Sequence, residues 1–170
     1  NGPGARLYEN LGGMHFRDVT ASSGIDHHAW SFGCAVGDYD ADGLDDIYVA
    51  CLGSDHLLRN LGAGRFVDVT EAAGLGKENL WGTSAAFADL DGDGDLDVAV
   101  SNSTQDVVYL NNGSGSFSAG SRNFGGASAN ARAVAAGDMD NDGDLDLVSG
   151  VKTSQNFVHL NGTAPTVSST

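Results

Sequence analysis

The chain has 170 residues, 41% apolar side chains and a formal charge of −15, because 23 acidic residues outnumber 8 Lys and Arg. This composition predicts a folded domain rather than disorder, and the lack of clustered basic residues argues against nucleic acid or an anionic membrane as the partner. No apolar run approaches the length of a transmembrane helix, so membrane insertion is not expected.

Short apolar runs separated by Gly-rich turns follow one another along the whole chain. Two strands are predicted near residues 6–10 and 16–19, followed by a turn of helix at Thr20-Ala-Ser-Ser-Gly24, where a capping threonine precedes a glycine stop. A second such turn is expected at residues 70–74. The remaining strands are expected near residues 31–37, 47–51, 56–60, 66–69, 83–88, 98–102, 107–110, 116–119, 133–137, 147–151 and 157–160. The pattern therefore predicts an all-β protein with thirteen short strands.

These runs recur with a period near 50 residues, which the asparagines Asn10, Asn60, Asn111 and Asn161 mark in step. Such a period is typical of four-stranded antiparallel propeller blades. We expect a propeller segment over residues 1–161, with residues 162–170 as a linker or tail. Its parts are a partial blade at 6–20 and about three repeats near 31–70, 82–120 and 131–161. Thirteen strands do not divide into complete four-stranded blades, so we expect part of a larger propeller or, alternatively, chains that associate to complete a ring.

The most informative motif is Asp89-Leu-Asp-Gly-Asp-Gly-Asp-Leu-Asp97, which has carboxylates at positions 1, 3, 5 and 9 and Gly94 at position 6. Hard cations take several oxygen ligands at once, and carboxylates on alternate residues converge only where the backbone curls around the ion. The same motif occurs three times in the chain, at residues 38–46, 89–97 and 138–146. The predicted side-chain ligands are Asp38, Asp40, Asp42, Asp46, Asp89, Asp91, Asp93, Asp97, Asp138, Asp140, Asp142 and Asp146. At the variable position 7, the backbone carbonyls of Leu44, Asp95 and Asp144 are expected to bind. We therefore predict three Ca²⁺ ions per chain.

Two other interpretations fit the acidic loops less well. An EF-hand has a bidentate glutamate at position 12 and a helix on each side, but position 12 here is Val49, Val100 or Ser149, within strand-like sequence. A solvated acidic surface is an alternative for one copy of the motif. Three copies in register argue against it.

The motif Asp-x-Asp-x-Asp-Gly-x-x-Asp before an apolar strand resembles the FG-GAP or VCBS repeat family, whose blades also build the integrin α-subunit propeller. Phe16-Arg-Asp-Val-Thr20 and Phe66-Val-Asp-Val-Thr70 look like the subgroup of cartilage acidic protein relatives, which are extracellular, whereas Phe117-Ser-Ala-Gly departs from that pattern. The resemblance implies β-propeller blades with structural calcium in a secreted or cell-surface protein. Fold membership does not by itself imply a ligand or an activity.

Two further features bear on the compartment. Formal glycosylation sequons begin at Asn102, Asn112 and Asn161. Cys34 and Cys51 lie at similar distances from the first acidic loop, so a disulfide between them is left open.

No catalytic constellation stands out in the sequence, so an enzyme is not expected. His27, His28, Trp30 and Trp81 lie in connectors opposite the acidic loops and form the candidate ligand face, although such a tryptophan also suits packing between blades. Asp106 is expected to be an exposed strand-edge residue. The predicted function is a non-catalytic adhesion or protein-interaction scaffold with a protein or glycan partner. A sugar-binding lectin and a propeller fragment of a larger secreted enzyme are the alternatives.

Overall fold

The computed structural model describes residues 4–77, 80–118, 122–124 and 130–162. An N-terminal hairpin of β1 (Tyr8–Asn10) and β2 (Phe16–Asp18) is followed by the short helix α1 (Thr20–Ser23). Blade 1 consists of β3 (Trp30–Gly37), β4 (Asp46–Gly53), β5 (His56–Asn60) and β6 (Phe66–Asp68). Blade 2 consists of β7 (Leu80–Ala88), β8 (Asp97–Asn102), β9 (Asp106–Tyr109) and β10 (Arg122–Phe124), and blade 3 of β11 (Ala131–Gly137), β12 (Asp146–Val151) and β13 (Phe157–His159). The described strand pairs are antiparallel, which confirms the prediction of an all-β fold with antiparallel blades.

The first strand of each blade has an irregularity in register at an equivalent point, and the one in β3 lies between Ser31 and Gly33. Such bulges increase the local twist of a sheet. At Gly33 the strand comes so close to β7 that an added Cβ would lie 2.8 Å from Ser84 Cα and 2.9 Å from the Thr83 carbonyl oxygen. Glycine at this position therefore permits the close approach of blades 1 and 2.

Apolar side chains fill the spaces between successive blades. The cluster between blades 1 and 2 includes Tyr48, Leu57, Val98, Val100 and Phe117. The cluster between blades 2 and 3 includes Leu90, Ala99, Val108, Val134 and Leu147. A short ladder also joins β4 to β7, because Leu52 pairs with Trp81 and Gly53 with Leu80. The three blades thus pack face to face, while completion of a ring by a longer chain or by association stays a prediction.

The last strand of blade 2 differs from the prediction at residues 116–119. Phe117 forms only an isolated bridge to Asn111, and regular pairing with β9 occurs in β10, at residues 122–124. The backbone N–H of Phe117 donates instead to the Ala73 carbonyl oxygen in the connector after blade 1, at 2.8 Å. Contact with the preceding blade therefore replaces the regular strand pairing that was expected for Phe117.

The prediction that Thr20 and Thr70 cap a turn of helix is also wrong. Val19 is the N-cap of α1, and the Thr20 hydroxyl accepts a hydrogen bond from the Leu7 backbone N–H at 2.9 Å. Thr70 does the same for Leu57 at 2.9 Å, and residues 70–74 form turns rather than a helix. These hydroxyls join the end of each hairpin to its first strand.

Neither cysteine is in a disulfide, since both thiols are free. The ladder places Cys34 opposite Val49 and Cys51 opposite Ser31, so the two side chains do not face each other. Of the predicted tail at residues 162–170, residues 163–170 lie outside the described residues.

Candidate metal centre

Each acidic loop joins the first strand of a blade to the second: loop 1 is residues 38–46, loop 2 residues 89–97 and loop 3 residues 138–146. The position-6 glycines have φ angles of 88°, 96° and 98°, which L side chains adopt only with strain; they are Gly43, Gly94 and Gly143. Position 4 is also left-handed, at Ala41, Gly92 and Asn141. The sequence pattern missed this second turn, because only two of these three residues are of the types that favour a positive φ.

The aspartate at position 1 holds the curl of its own loop. Asp38 accepts hydrogen bonds from the backbone N–H groups of Asp42 at 3.0 Å and Gly43 at 2.8 Å. Asp138 repeats this pair of bonds in loop 3, whereas Asp89 of loop 2 accepts from Gly92 at position 4 and Gly94 at position 6. Each position-5 aspartate in turn accepts the N–H of position 7, at 3.0 Å in each loop. The carboxylates therefore shape the loops that carry them.

The aspartate at position 9 anchors each loop to its blade. Asp46 is fully buried and accepts hydrogen bonds from the backbone N–H groups of Asn60 at 2.7 Å and Tyr39 at 3.3 Å. Asp97 and Asp146 repeat this pair of bonds. Burial raises the pKa of Asp46 to about 6, although the two backbone hydrogen bonds oppose the shift. Burial also raises the pKa of Asp97. A cation beside these groups would favour their ionised forms.

Three carboxylates converge in every loop. One oxygen from each member of a set lies within 4.8 Å of the others; the sets are Asp38, Asp40 and Asp42; Asp89, Asp91 and Asp97; and Asp138, Asp140 and Asp146. Among the described residues, Asp40 Oδ1 and both Asp140 oxygens are buried without a hydrogen-bond partner. Burial and repulsion from Asp142 and Asp146 raise the pKa of Asp140. Converging carboxylate oxygens with unsatisfied buried members fit a hard cation held by several oxygens at about 2.3–2.6 Å.

The remaining predicted ligands lie beside these sets. Asp93 and Asp142 at position 5 are in loops 2 and 3 but outside the converging triplets, whereas Asp46 is outside the triplet of loop 1. At position 7, Asp95 Oδ2 lies 2.5 Å from where a Cβ on Gly113 would stand, and Leu44 lies 3.9 Å from the corresponding point on Gly62. Asp144 lies against Gly162 in the same way. These side chains point towards the turn after the third strand, so binding through the position-7 carbonyl stays a prediction.

The asparagines that mark the repeat have a role that the sequence did not reveal. Asn111 Nδ2 donates to the Tyr39 carbonyl oxygen of loop 1 at 2.8 Å, and Asn161 Nδ2 donates to the Leu90 carbonyl oxygen of loop 2 at 2.6 Å. Tyr39 and Leu90 occupy position 2, and both side chains are buried between blades. Burial raises the pKa of Tyr39 to about 12. Each of these two loops is therefore hydrogen-bonded to the blade that follows it. The recurrence of asparagine about every 50 residues was the feature of the sequence that could have indicated this role.

The two histidines of the candidate ligand face lie in different environments. His27 is buried and stacks on His56, with the ring centroids 4.5 Å apart. Neither of its ring nitrogens has a hydrogen-bond partner in the described part of the chain, and burial together with the nearby His56 lowers its pKa. His28 is exposed, 3.7 Å from Asp26. His27 is therefore a packing residue beneath the surface that His28 occupies.

The two tryptophans also differ. Trp30 is 56% exposed at the start of β3. Trp81 lies between Phe32 of blade 1, at 5.4 Å, and the guanidinium of Arg132 of blade 3, at 5.2 Å from the ring centroid. Trp81 therefore packs between blades, whereas Trp30 faces solvent.

The prediction of an exposed Asp106 is wrong. Its side chain is 1% exposed and accepts hydrogen bonds from the Asn102 backbone N–H at 3.0 Å and the Ser149 hydroxyl at 2.8 Å. Burial raises its pKa, although both hydrogen bonds oppose that shift. Asp106 begins β9, which lies between β8 and β10, and Ser149 of blade 3 contacts its side chain.

The comparison with known families agrees with this geometry. The FG-GAP-like repeat pattern matches residues 38–100 and again residues 89–149, which together cover more than half of the chain. The chain belongs to the FG-GAP-like repeat family. Each match begins at the position-1 aspartate of a loop. Repeats of this family are typical of extracellular proteins, and no curated protein matches the chain. None of the described residues belongs to a helix with the length and hydropathy that crossing a membrane requires.

Proposed function

We propose that this FG-GAP-like protein is a calcium-binding, calcium-stabilised extracellular module that acts as a non-catalytic adhesion or protein-interaction scaffold. The observation that carries the proposal is the convergence of three carboxylates in each of the three loops. In every loop the position-9 aspartate also holds the backbone of its own blade. In loops 2 and 3 this aspartate also belongs to the converging set, so cation binding and blade structure depend there on the same residue.

Calcium is the cation that these loops suit best. The converging groups are carboxylates, which favour hard cations over the softer metals that histidine and cysteine select. Mg²⁺ needs near-ideal octahedral geometry and retains its waters, whereas Ca²⁺ accepts the irregular geometry that a curled loop offers. When bound, the ion would screen the repulsion among neighbouring carboxylates. Because it would bind the native state and not the unfolded chain, it would also stabilise the fold by mass action.

The loops also connect calcium to the stacking of blades. The position-2 carbonyls of loops 1 and 2 accept hydrogen bonds from Asn111 and Asn161 of the following blades. Fixing the curl of a loop therefore also fixes the acceptor for the next blade. In this proposal calcium supports a rigid surface on which a partner binds.

The exposed Trp30 favours a ligand surface at the end of the blades opposite the loops. Leu52, which pairs with Trp30 across the ladder, and the neighbouring Phe32 are also about half exposed. Aromatic and aliphatic groups of this kind suit a protein partner, and an exposed indole also stacks on sugar rings. Glycan binding is therefore the second candidate. A glycan array with the wild type and Trp30→Ala tests it, since binding that Trp30→Ala abolishes would favour the lectin function.

Calorimetric titration with Ca²⁺ tests the main proposal. We expect three ions per chain, and we expect Asp89→Asn to lower this number to two because it removes a converging carboxylate from loop 2. The matched control is Asp26→Asn, an equal change of charge at an exposed residue outside the loops, which should leave the number at three. A stoichiometry of one or none on folded protein in millimolar calcium would contradict the proposal.

A further inference from the structure

Arg59, the penultimate residue of β5, sets loop 1 apart from the other two loops. Its Nε lies 2.6 Å from Asp40 Oδ2, and its Nη2 lies 3.1 Å from Asp42 Oδ2. The Nη2 contact is a hydrogen bond, whereas the Nε–H is not directed at an acceptor, so the contact with Asp40 is a charge interaction. A positive charge therefore lies against two of the three carboxylates that converge in loop 1.

The equivalent positions in the other blades are apolar. A shared hydrogen bond establishes the equivalence, because an asparagine at or just after the end of the third strand donates its backbone N–H to the position-9 aspartate in each blade. The three bonds measure 2.7, 2.8 and 2.7 Å, from Asn60, Asn111 and Asn161. The residues just before these asparagines are Arg59, Leu110 and Leu160. Blade 1 therefore has a guanidinium where blades 2 and 3 have leucine.

We propose that Arg59 is a resident cation of loop 1, which Ca²⁺ must displace, and that loop 1 is consequently the last of the three loops to fill. This inference rests on the proposed calcium function. The guanidinium contacts Oδ2 of both Asp40 and Asp42, which leaves Asp40 Oδ1 as a buried oxygen without a partner among the described residues. In loop 3, both oxygens of Asp140 lack one. Within the part of the chain that the structure describes, calcium therefore competes with an existing ion pair only in loop 1.

The proposal gives Arg59 a role at low calcium as well. Neighbouring carboxylates repel one another, and the guanidinium offsets part of that repulsion in loop 1. Loop 1 should therefore keep its shape at calcium concentrations that leave loops 2 and 3 empty. The protein would respond to calcium in two steps, and the structure of blade 1 would depend less on calcium than that of blades 2 and 3.

Nuclear magnetic resonance can follow the three loops separately. The position-6 glycines Gly43, Gly94 and Gly143 each donate their backbone N–H to the position-1 aspartate of their own loop, so their amide signals report on loop occupancy. In a calcium titration of the wild type, the midpoint for Gly43 should lie about fivefold higher in concentration than the other two, the scale of an ion pair at a partly exposed site.

Two substitutions then assign the effect to Arg59. Arg59→Leu, which copies the residue of blades 2 and 3, should bring the Gly43 midpoint to within about twofold of the others. Arg65→Leu is the matched control, because Arg65 is an exposed residue of the turn between β5 and β6 and its loss changes the net charge equally. Conversely, Leu110→Arg should raise the midpoint for Gly94 alone.

The possible failures are distinguishable. If Gly43 responds together with or before Gly94 and Gly143 in the wild type, or if Arg59→Leu shifts its midpoint no more than Arg65→Leu does, the role of Arg59 is refuted while calcium binding stands. If none of the three signals moves in folded protein at millimolar calcium, the proposed function itself fails, and this inference fails with it.

Discussion

The β1–β2 and β5–β6 hairpins share much of their sequence and all of their register, yet they differ in burial. Residues 7–20 and 57–70 both contain Leu-x-x-Asn-Leu-Gly and end in Phe-x-Asp-Val-Thr. In both hairpins the asparagine pairs with the phenylalanine. Leu58 is 3% exposed, however, whereas Tyr8 at the same position is 52% exposed. Local sequence therefore determines the hairpin, and the strand beside it determines the burial.

The neighbour that makes the difference is β4. It pairs with β5, and its Val49 and Cys51 pack in one buried cluster with Leu58, whereas β1 and β2 form a two-stranded sheet by themselves. Substitutions at equivalent positions of the two hairpins thus measure what the neighbouring strand and blade contribute to stability. The predictions below use such pairs where the chain offers them.

The largest expected difference is between Leu57→Ala and Leu7→Ala. Both leucines donate their backbone N–H to a threonine hydroxyl at 2.9 Å, but only Leu57 is fully buried in the core between blades 1 and 2. Leu57→Ala should lower the free energy of unfolding by about 2–5 kcal/mol and Leu7→Ala by about 1 kcal/mol, as measured by chemical denaturation. Equal losses of unfolding free energy in the two variants would show that the neighbouring strand does not determine how much each leucine stabilises the fold.

A large effect is also expected at Asp106, a buried polar residue between blades 2 and 3. Asp106→Ala leaves the Asn102 backbone N–H and the Ser149 hydroxyl without their acceptor, which should cost about 2–3 kcal/mol in the same measurement. Asp26→Ala, at an exposed residue of the connector after the N-terminal hairpin, should change stability by less than about 0.5 kcal/mol. If Asp106→Ala and Asp26→Ala have the same free energy of unfolding within error, the blade interface does not depend on these hydrogen bonds.

A smaller difference is expected between Asn111→Ala and Asn10→Ala. Asn111 donates from its side chain to the Tyr39 carbonyl oxygen of the preceding blade, whereas the exposed Asn10 accepts a hydrogen bond from Gly12 within its own turn. Asn111→Ala should cost about 1–2 kcal/mol and Asn10→Ala less than about 0.5 kcal/mol. Thermal melting in saturating calcium compares the two variants, and a larger loss for Asn10→Ala would count against the proposed link between blades.

The smallest effect concerns pH and His27, which connects the N-terminal hairpin to blade 1 and stacks on His56. Burial and the neighbouring His56 lower the pKa of His27 in the folded state. Its neutral form therefore supports the fold above the unfolded pKa of about 6.5, and this contribution is lost as the pH falls through the lower folded value.

His27→Phe should consequently lose less stability than the wild type between pH 7 and pH 5, by about 1 kcal/mol or less. Denaturation at both pH values measures the difference. His28→Phe, at an exposed neighbouring residue, should lose as much as the wild type. An identical pH response in the wild type and His27→Phe would rule out His27 as the source.

The parts that the sequence predicted correctly are those that depend on local chemistry. Alternating apolar runs predicted nearly all the strands, and the position-6 glycines predicted the left-handed turn of each loop. Features that depend on another blade were missed. Phe117 leaves its ladder for Ala73, and Asp106 is covered by Ser149. Arg59 reaches the acidic loop because of how β5 lies beside it, and nothing in the repeat pattern indicates that contact.

The most direct test of the calcium sites is a crystal structure of protein grown in calcium, with anomalous data collected at long wavelength. We predict one ion in each of the three loops, surrounded by carboxylate oxygens at about 2.4 Å and by the position-7 carbonyl. Asp38, Asp89 and Asp138 should each lie beside an ion. Loops without ions at millimolar calcium, or ions bound only elsewhere on the surface, would contradict the account.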